Sequence, residues 1–586
     1  MSSKIILTGN EAVARGAYEG GVTVGAAYPG TPSTEILENL AHYAEIRCNW
    51  SPNEKVALEV GSGASIAGAR VLVAMKHVGV NVAADPLLTL SYTGVGGGLV
   101  LVSADDPGMH SSQNEQDNRH YARMAKIPLL EPADSQEARD YVLAGLALSE
   151  SFDTPVMLRT TTRISHSRSV VAIGERQTAP ERQYRKQIAK YVMLPGFARR
   201  RHPLVEQRLE ALREEAERSP MNRIEAGSGD VGLICSGVAY QYVREVIPEA
   251  PLLKLGFSYP LPIKLVRRFA TMVKKIIVVE ELDPILEEQL SALGIPLEGK
   301  SLFPLLGELS ADIVREKLRG EKRPLIAVRT EIPPRPPLLC PGCSHRGVFY
   351  VLNRLKVNVM GDIGCYTLGA LPPLEAMDTC ICMGASIGTA LGMEKADPNL
   401  AGRTVAVIGD STFFHSGITP LLDAVYNNAS TTVLILDNST TAMTGHQHHP
   451  GTGVTLQGEK TVRTDLEQLC RSLGVRRVAV VDPFDLKGLR QVIKEELAVQ
   501  EPSVIIARRP CVLLSKSFLE PLQVDQEKCN GCGACLNLGC PAISKTGEAK
   551  ALINSTVCNG CGLCAQLCRF DAITIPAAKK EGECNG

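Results

Sequence analysis

The chain has 586 residues, of which 44% are hydrophobic, and a formal net charge of −1. This length predicts several domains at roughly 100–200 residues each, and the balanced charge does not point to nucleic acid or a membrane surface as a partner. The N-terminus leads directly into Ile5-Ile6-Leu7 without the pattern of a signal peptide, and no apolar run approaches the ~20 residues of a membrane span. We therefore expect a cytoplasmic protein.

Residues 1–165 alternate between short apolar runs and Ala-rich stretches. This alternation is typical of strands and helices that form a parallel, helix-covered sheet. The predicted strands are Ile5–Leu7, Val71–Met75 and Leu99–Val102, and the predicted helices are Glu11–Glu19, Glu54–Gly68 and Gln136–Ser149.

Residues 166–227 interrupt the alternation and are rich in Arg and Gln. We interpret them as a connecting arm with a solvated helix at Leu204–Arg218, because its apolar residues recur at helical spacing among Glu and Arg. An ordinary surface insertion and a specific docking role are about equally compatible with this composition.

The α/β pattern resumes in residues 228–330 and again in residues 338–515. Between them, Glu331-Ile-Pro-Pro-Arg-Pro-Pro337 predicts an extended domain boundary, since proline disfavours helix at its own position and at the residue before it. The predicted strands are Val231–Cys235, Leu252–Leu255, Lys275–Val279, Thr404–Ile408, Thr432–Leu436, Arg477–Val481 and Val504–Ala507.

Residues 525–577 contain an internal repeat, KCNGCGAC and later VCNGCGLC, and the polar tail from Ala578 is predicted to be disordered. The chain has 18 cysteines, eight of them between Cys529 and Cys568. Disulfides are rare in a reducing compartment, so dense and regular cysteines indicate metal or cluster ligation. Zinc favours four ligands in paired CxxC knuckles, whereas each run here reads CxxCxxC and is closed by a further Cys. We therefore predict two [4Fe–4S] clusters.

This C-terminal module resembles the bacterial two-cluster ferredoxins, in which the fourth Cys of each run binds the other cluster. The first run departs from the usual pattern by placing four residues, not three, before its last Cys. The change lengthens a loop and removes no ligand; a [3Fe–4S] form of one cluster remains an alternative. The assignment is Cys529, Cys532, Cys535 and Cys568 for one cluster, and Cys558, Cys561, Cys564 and Cys540 for the other.

Two turns of the 338–515 region carry oxygen-rich residues directly after predicted strands. They read Gly409-Asp410-Ser411 and Asp437-Asn438-Ser439-Thr440. Open α/β sheets bind ligands at the carboxyl ends of their strands, and such oxygen ligands suit a Mg²⁺ ion that holds a diphosphate. If Gly-Asp-Ser is considered alone, the alternative is an ordinary turn that has this sequence by chance and binds no cofactor.

The pair of turns resembles the cofactor motif of thiamin-diphosphate enzymes, with Ser411 in place of that motif's final Gly. The resemblance implies that Gly409 and Asp410 belong to the cofactor site, and that Mg²⁺ is bound by Asp410, the Asn438 side chain and the Thr440 carbonyl.

Thiamin enzymes also use a Glu that hydrogen-bonds the aminopyrimidine ring and so promotes removal of the C2 proton. The segment that begins Asn53-Glu54 and continues into a Gly- and Ala-rich helix resembles their pyrimidine-binding segment, and Glu54 is favoured over Glu59. The alternative is a solvated Glu stabilised at a helix start by the helix dipole.

Further segments resemble 2-oxoacid:ferredoxin oxidoreductases, and the order of parts resembles the α subunits of their indolepyruvate type. The resemblance covers nearly the whole chain. The segments are Tyr28-Pro-Gly-Thr-Pro-Ser-Thr-Glu35, Met75-Lys-His-Val-Gly-Val-Asn81, Ser103-Ala-Asp-Asp-Pro-Gly-Met-His-Ser-Ser-Gln-Asn-Glu115, Cys340-Pro-Gly-Cys343, Ile363-Gly-Cys365 and Met383-Gly-Ala-Ser-Ile-Gly388.

The resemblance implies an α/β fold with two doubly wound thiamin-type domains. The pyrimidine-binding domain would span residues 1–165 and the diphosphate-binding domain residues 338–515. A transketolase-C-terminal-like α/β domain (228–330) would lie between them in the chain, and a ferredoxin-like α+β module (525–577) would end it.

The implied activity is oxidative decarboxylation of arylpyruvates with coenzyme A, giving aryl-acetyl-CoA and CO₂, with electrons passed to an external ferredoxin. The family's small γ-type domain is not recognised in this chain, so a separate β subunit and an α2β2 heterotetramer are expected. Thr31, His110 and His415 are substrate-pocket candidates, with a turn Thr and structural histidines as alternatives.

A third cluster is a further implication of the resemblance. Cys340, Cys343, Cys365 and Cys511 have the order of a cluster that related enzymes place beside thiamin. Turn cysteines together with buried thiols are the alternative.

Other functions remain open at this stage. Another 2-oxoacid, such as pyruvate or a branched-chain acid, fits the same motifs. A non-oxidative thiamin decarboxylase or ligase would need no electron exit, which the ferredoxin-like module provides. A pure electron-relay subunit would leave Glu54, Asp410 and Asn438 without a purpose.

Overall fold

The computed structural model describes residues 3–180, 182–322, 335–515 and 518–575. The chain forms two compact units: unit 1 comprises residues 1–329 and 455–459, and unit 2 comprises residues 330–454 and 460–586. Residues 331–334 of the predicted proline-rich boundary and the predicted disordered tail from Ala578 lie outside the described residues.

Unit 1 is an α/β unit with three sheets. Its strands are β1 (Lys4–Thr8), β2 (Val24–Ala27), β3 (Arg47–Trp50), β4 (Val71–Lys76), β5 (Leu99–Asp105), β6 (Leu129–Leu130), β7 (Val156–Thr161), β8 (Arg168–Ala172), β9 (Asn222–Glu225), β10 (Val231–Cys235), β11 (Leu252–Leu255), β12 (Phe257–Tyr259) and β13 (Lys275–Val279). Its helices are α1 (Gly9–Glu19), α2 (Thr34–Leu40), α3 (Glu54–Ile66), α4 (His77–Val82), α5 (Ala84–Thr93), α6 (Arg119–Ala125), α7 (Ser135–Phe152), α8 (Thr162–His166), α9 (Ile188–Tyr191), α10 (Pro195–Arg218), α11 (Ala239–Val246), α12 (Ile263–Met272), α13 (Ile285–Ala292) and α14 (Ala311–Arg319).

The main sheet of unit 1 has the strand order β12-β6-β7-β5-β4-β2-β3 and is parallel except at β12. Strands β4, β5 and β7 are buried throughout, as expected for a parallel sheet covered on both faces. Alternate residues of β4 enter two different cores: Leu72 and Ala74 face one, and Val71 and Val73 face the other. The predicted parallel sheet is confirmed.

Three details of unit 1 differ from the sequence prediction. Strand β1 pairs antiparallel with β8 in a sheet of its own, so it does not join the parallel sheet. Strand β12, from the region predicted as a separate middle domain, pairs with β6 of the main sheet. Helix α10 is longer than the predicted Leu204–Arg218 and continues through Pro203; it is not wholly solvated, because Leu212 and Ala216 pack into a core.

Unit 2 contains a six-stranded sheet and the cysteine-rich module. Its strands are β14 (Asn358–Gly361), β15 (Thr379–Cys380), β16 (Thr404–Gly409), β17 (Thr432–Asp437), β18 (Arg477–Val481), β19 (Ser503–Arg508), β20 (Gln523–Val524), β21 (Ile543–Lys545), β22 (Ala551–Ile553) and β23 (Ile573–Thr574). Its helices are α15 (Ser344–Leu355), α16 (Ala385–Ala396), α17 (Asp410–Thr412), α18 (Ile418–Tyr426), α19 (Leu466–Ser472) and α20 (Leu486–Leu497).

The six-stranded sheet is parallel, with the order β15-β14-β16-β17-β19-β18. Its central strands β16 and β17 are buried along their whole length. Because they are parallel neighbours, the turns that follow them lie side by side at one edge of the sheet. The module consists of two short antiparallel pairs, β20–β23 and β21–β22. Leu538 and Leu563 of the module share a core with Phe349 of α15, which packs the module onto the sheet domain.

No helix within the described ranges is long and apolar enough to cross a membrane.

Candidate functional site

The two oxygen-rich turns of unit 2 meet at the carboxyl edge of the six-stranded sheet. Strand β16 ends at Gly409 and β17 ends at Asp437, and the two strands are hydrogen-bonded neighbours. The Asp410 carboxylate is buried and accepts hydrogen bonds from the backbone N–H groups of Ser411 and Ser439, each at 2.8 Å. These bonds fix the carboxylate of the first turn against the backbone of the second.

Asn438 and Thr440 lie on the second turn. Ser439 adopts a left-handed φ of 60°, which turns the chain sharply enough for the Thr440 N–H to donate to the Asn438 side-chain oxygen at 3.2 Å. Both residues are buried. Asn438 and Thr440 therefore flank Ser439, the residue whose N–H binds the Asp410 carboxylate.

These residues fit a metal-bound diphosphate. His449 Nε2 lies 3.2 Å from Asp410 Oδ2, yet this buried nitrogen has no well-directed hydrogen bond within the described part of the chain. A Cβ at Gly409 would lie 2.8 Å from the Tyr366 ring, so only glycine leaves room there. The Asp410 carboxylate, the Asn438 amide oxygen and the Thr440 carbonyl are the donor types that Mg²⁺ prefers.

The four cysteines that the sequence analysis grouped as a third set come together in unit 2. They line one cavity of about 500 Å³, open space included, together with His345, His446 and Asn438. The members of the set are Cys340, Cys343, Cys365 and Cys511. Burial raises the pKa of Cys343 to about 12. The Cys511 N–H donates to the Asn438 carbonyl at 2.9 Å, which ties this cavity to the diphosphate turn.

The eight cysteines of the module line two further cavities, of about 390 and 380 Å³. Each cavity takes three cysteines from one run and the last cysteine from the other, in the grouping that the resemblance implies. The first is lined by Cys529, Cys532, Cys535 and Cys568, and the second by Cys558, Cys561, Cys564 and Cys540.

The module also fits cubane clusters in its hydrogen bonding. Backbone N–H groups donate to the sulfur atoms of Cys529, Cys558 and Cys568 at 3.3–3.5 Å, and such bonds help to set cluster potentials. Across the described ranges, no three Cys, His, Asp or Glu side chains converge closely enough for a single metal ion; the cysteines of each set surround a cavity.

In unit 1, Glu54 and Glu59 lie in different environments. Glu54 begins α3 and is only 4% exposed, and a Cβ at Gly79 would lie 2.7 Å from its Cγ and Oε1. Glu59 is 46% exposed and forms a surface ion pair with Lys55. The side chain favoured by the sequence analysis is therefore the buried one, held close to α4 because residue 79 has no side chain.

Thr31 lies in the loop after β2, at the carboxyl edge of the main sheet of unit 1. Its carbonyl accepts a hydrogen bond from the Ser111 hydroxyl at 3.4 Å, and the Ser111 carbonyl accepts one from Lys76 Nζ at 2.6 Å. Lys76 ends β4 and is 8% exposed; burial lowers its pKa to about 8. The structure thus places a buried ammonium group beside the Thr31 loop.

The two candidate histidines have contrasting positions. His110 is half exposed, with Nε2 3.7 Å from Glu308, so the structure does not place it in a buried pocket. His415 is buried in the π-helical turn Phe413–Gly417, and its Nδ1 is 2.6 Å from the Ser416 hydroxyl. This turn follows Asp410 directly, which keeps His415 on the diphosphate-binding side of the sheet domain.

Comparison with known proteins decides the family. Family models match three parts of the chain. Residues 15–212 match the thiamine-diphosphate-binding domain of pyruvate flavodoxin/ferredoxin oxidoreductases. Residues 362–507 match the C-terminal domain of thiamine pyrophosphate enzymes, and residues 551–574 match the 4Fe-4S binding domain. The indolepyruvate oxidoreductase subunit IorA of Methanothermobacter thermautotrophicus is 43% identical, with 97% of each chain covered. The chain belongs to the IorA family. The IorA of Pyrococcus horikoshii is 42% identical, with 97% of this chain and 96% of that protein covered.

A solved 2-oxoglutarate:ferredoxin oxidoreductase from Magnetococcus marinus is similar with a TM-score of 0.48 and 18% identity, covering 54% of this chain and 65% of that one. The family assignment itself rests on the sequence relatives. Membership in the IorA family confirms the predicted α/β fold class. This membership also makes the chain an oxidoreductase that uses thiamin diphosphate and iron–sulfur clusters.

Sequence analysis missed three buried residues of this IorA-type chain. Lys76 ends the apolar strand β4, and a Lys at the end of an apolar strand is the sequence signal that could have singled it out. Asp362 precedes Ile363-Gly-Cys365, and its carboxylate accepts hydrogen bonds from the N–H groups of Gly384 and Ser386 at the start of α16. Burial raises the pKa of Asp362 to about 6.

His345 is the third of these residues. Its Nε2 lies 3.4 Å from Asn438 Nδ2, and burial lowers the pKa of His345 to about 4.

Proposed function

We propose that this chain is the catalytic subunit of an indolepyruvate-type oxidoreductase. It would decarboxylate arylpyruvates oxidatively in the presence of coenzyme A, giving aryl-acetyl-CoA and CO₂, and pass the electrons to an external ferredoxin. The observation that carries the proposal is the cavity shared by Cys340, Cys343, Cys365, Cys511 and Asn438. It joins the turn that suits the thiamin diphosphate to a set of thiols that suits an electron acceptor.

Thiamin diphosphate, when bound, supplies the group that accepts the electrons released with CO₂. The chain's own residues would hold and orient it. Asp410, the Asn438 side chain and the Thr440 carbonyl would bind Mg²⁺ and through it the diphosphate. Glu54, which is buried in unit 1, would hydrogen-bond the aminopyrimidine ring.

The substrate would lie near Thr31 and Lys76. A 2-oxoacid carries a carboxylate, and a buried ammonium with three donors can bind it while keeping its bond to the Ser111 carbonyl. Thr31 would contact the carboxylate or keto oxygen, and His415 is the remaining histidine candidate. His110 is the weaker one because it is half exposed.

The electron route would follow the three cysteine cavities. Cys340 and Cys343 line the first, whereas Pro341 and Gly342, the two residues between them, line the next cavity with Cys540. One turn of backbone therefore forms the wall between them, and the Asn559 side chain fixes that turn by donating to the Pro341 carbonyl at 3.0 Å. Electrons would pass from the Cys340 cavity to the Cys540 cavity and leave through the Cys529 cavity.

Relatives of this chain are named as subunits, which supports a partner subunit here. We infer a β subunit that supplies the γ-type domain, and an α2β2 assembly. For the domains, we propose the ranges 1–165, 228–330, 338–515 and 525–577, with 166–227 as a connecting arm.

An anaerobic assay of the chain with its β subunit tests the proposal, using coenzyme A, a viologen dye and a panel of 2-oxoacids. We expect indolepyruvate and phenylpyruvate to react faster than pyruvate or a branched-chain acid.

Variants of the cofactor residues extend the same assay. Glu54→Gln should abolish turnover, whereas Glu59→Gln, its surface counterpart on the same helix, should not. Asp410→Asn should weaken thiamin diphosphate binding, measured directly by calorimetry.

Faster turnover of pyruvate would refute the arylpyruvate assignment. Full activity of the chain alone would refute the need for the β subunit. An iron count of about twelve per chain supports three four-iron clusters. A count of about eight that Cys365→Ala leaves unchanged would exclude the third.

A further inference from the structure

Arg346 carries a buried guanidinium that has no carboxylate partner among the described residues. It lies in the first turn of α15, three residues after Cys343, and is 2% exposed. Nη1 donates to the Leu538 carbonyl at 2.7 Å, and Nη2 donates to the carbonyls of Leu339 and Cys340. The ion pairs of the described residues include none to Arg346. Among these residues, its hydrogen bonds go to backbone carbonyls, which carry partial charges and no full negative charge.

Such an arrangement is costly in a protein interior, because a buried charge needs an opposite charge close by. Two other arginines, each no more than 5% exposed, follow this rule, whereas Arg208, at 9% exposure, donates to the backbone carbonyls of Ser91 and Asp153. Arg119 pairs with Asp117 and Glu280, and Arg159 pairs with Asp105, Glu131 and Asp117. An anion that binds next to Arg346 would remove the anomaly.

The surroundings of Arg346 identify that anion. Arg346 lines the cavity of Cys540, Cys558, Cys561 and Cys564, and it touches the Cys340 carbonyl on the wall toward the neighbouring cavity. A four-iron cluster with four thiolate ligands carries net negative charge, which grows by one on reduction. The guanidinium thus lies where a cluster would supply the missing negative charge.

The unusual loop before Cys540 serves the same contact. The extra residue of this run lies in the segment Leu536-Asn-Leu-Gly539, and Arg346 binds its Leu538 carbonyl. Gly539 has a left-handed φ of 62°, and a Cβ there would lie 2.7 Å from Pro373 and 3.5 Å from Arg346 Nη1. The lengthened loop and the arginine are therefore fitted to each other.

We propose that Arg346 is the counter-charge of the cluster held by Cys540, Cys558, Cys561 and Cys564 and that it raises the reduction potential of this cluster. The reduced cluster is the more negative one, so a fixed positive charge stabilises it more than the oxidised cluster. The inference rests on the cluster assignment of the proposed function. Arg346 would make this cluster the favourable acceptor for electrons arriving from the Cys340 side.

The test compares Arg346→Gln with Arg346→Lys in the purified, iron-loaded full chain together with its β subunit. Iron and sulfide are counted, and each cluster's midpoint potential is measured by dye-mediated titration followed by EPR. Arg346→Gln should lower the midpoint of one cluster, with a change of about tenfold in its one-electron equilibrium, which corresponds to about 59 mV. Arg346→Lys keeps the charge and should stay close to the wild type.

Arg477→Gln is the matched control. It removes a positive charge from the same unit, at a half-exposed site that pairs with Glu496 at 2.8 Å, and should leave all midpoints unchanged. A shift equal to that of Arg346→Gln would mean that net charge alone is responsible, and would overturn the proposal.

Unchanged midpoints in an iron-replete Arg346→Gln variant would also overturn it. If Arg346→Gln fails to assemble clusters, the Arg346→Lys variant decides the question. Cluster assembly and a near-native midpoint potential in Arg346→Lys would support the need for a positive charge. Failure of both variants to assemble clusters would show that Arg346 has a structural role only, and would overturn the proposal. No 2-oxoacid enters these titrations, so a wrong substrate assignment would show in the turnover assay and leave the midpoints untouched. A chain without the Cys540 cluster would show in the iron count.

Discussion

Arg119 in unit 1 and Arg346 in unit 2 are equally buried, at 2% exposure each, but their surroundings differ. Arg119 contacts the carboxylates of Asp117 and Glu280 at 2.6 Å, so its charge is neutralised by side chains of the same unit. The hydrogen bonds of Arg346 within the described part of the chain go to backbone carbonyls, and the side chain lines a cavity with Cys540, Cys558, Cys561 and Cys564. The difference indicates that the Arg119 network of unit 1 is electrostatically complete in the folded chain, whereas the surroundings of Arg346 in unit 2 depend on a group that the chain binds.

Removal of iron should give the largest effect and should be confined to unit 2. Bound clusters contribute directly to the folding free energy of a small module, and their loss would leave Arg346 without a counter-charge. We expect the module and the start of α15 to lose protection worth roughly the stability of a domain, about 5–15 kcal/mol, in hydrogen exchange followed by mass spectrometry. Equal loss of protection in β4 and β5 would contradict the comparison.

Arg119→Met should give the next largest effect, and in unit 1. It leaves Asp117 and Glu280 buried without their cation, and breaking a buried pair in this way costs about 3–5 kcal/mol. Thermal or denaturant unfolding should show the loss, while the cluster midpoints stay unchanged. Lys274→Met, which breaks the exposed pair with Asp230, is the control and should leave stability unaltered. A native-like Arg119→Met would mean that this network is not needed for stability.

Lys76→Met should have the smallest effect in energy and the clearest one in pH dependence. Loss of one buried charge from the substrate site should raise the KM for an arylpyruvate by about tenfold, or about 1.4 kcal/mol. Burial lowers the pKa of Lys76 to about 8, so the ammonium is charged below that pH and neutral above it. In the wild type, kcat/KM should therefore fall as the pH rises through about 8.

Two further variants complete this test. Lys76→Arg should move the fall in kcat/KM to higher pH, because a guanidinium stays charged. Lys55→Met, which removes an exposed lysine of the same unit, should change neither KM nor the pH profile. A Lys76→Met variant with unchanged KM would exclude Lys76 from the substrate site.

The sequence predicted best those features that depend on local spacing or on strand ends. Asp410 and Asn438 follow adjacent parallel strands, whose carboxyl ends meet by geometry. The resemblance to two-cluster ferredoxins, which the cysteine spacing carries, implied that Cys540 belongs with the second run and Cys568 with the first, and both line those cavities. The metal and cofactor roles of these residues stay predictions.

Long-range contacts of charged residues were not predictable from one sequence. Arg346 meets Leu538, 192 positions away, and Arg119 meets Glu280, 161 positions away. Lys76 appeared only as one letter of a motif. The helix predicted at Leu204–Arg218 from its apolar spacing is part of the longer α10, which begins at Pro195 and continues through Pro203, although proline lacks the N–H that a helix interior uses.

Strand β12 has a consequence for any attempt to isolate the N-terminal region. It covers the outer edge of β6 although it lies about 127 positions further along the chain, since Phe257 pairs with Leu130. A fragment cut near residue 165 would expose that edge, and unpaired strand edges invite association with other chains. The shortest piece of this region that keeps its sheet closed on that side must therefore extend past Tyr259.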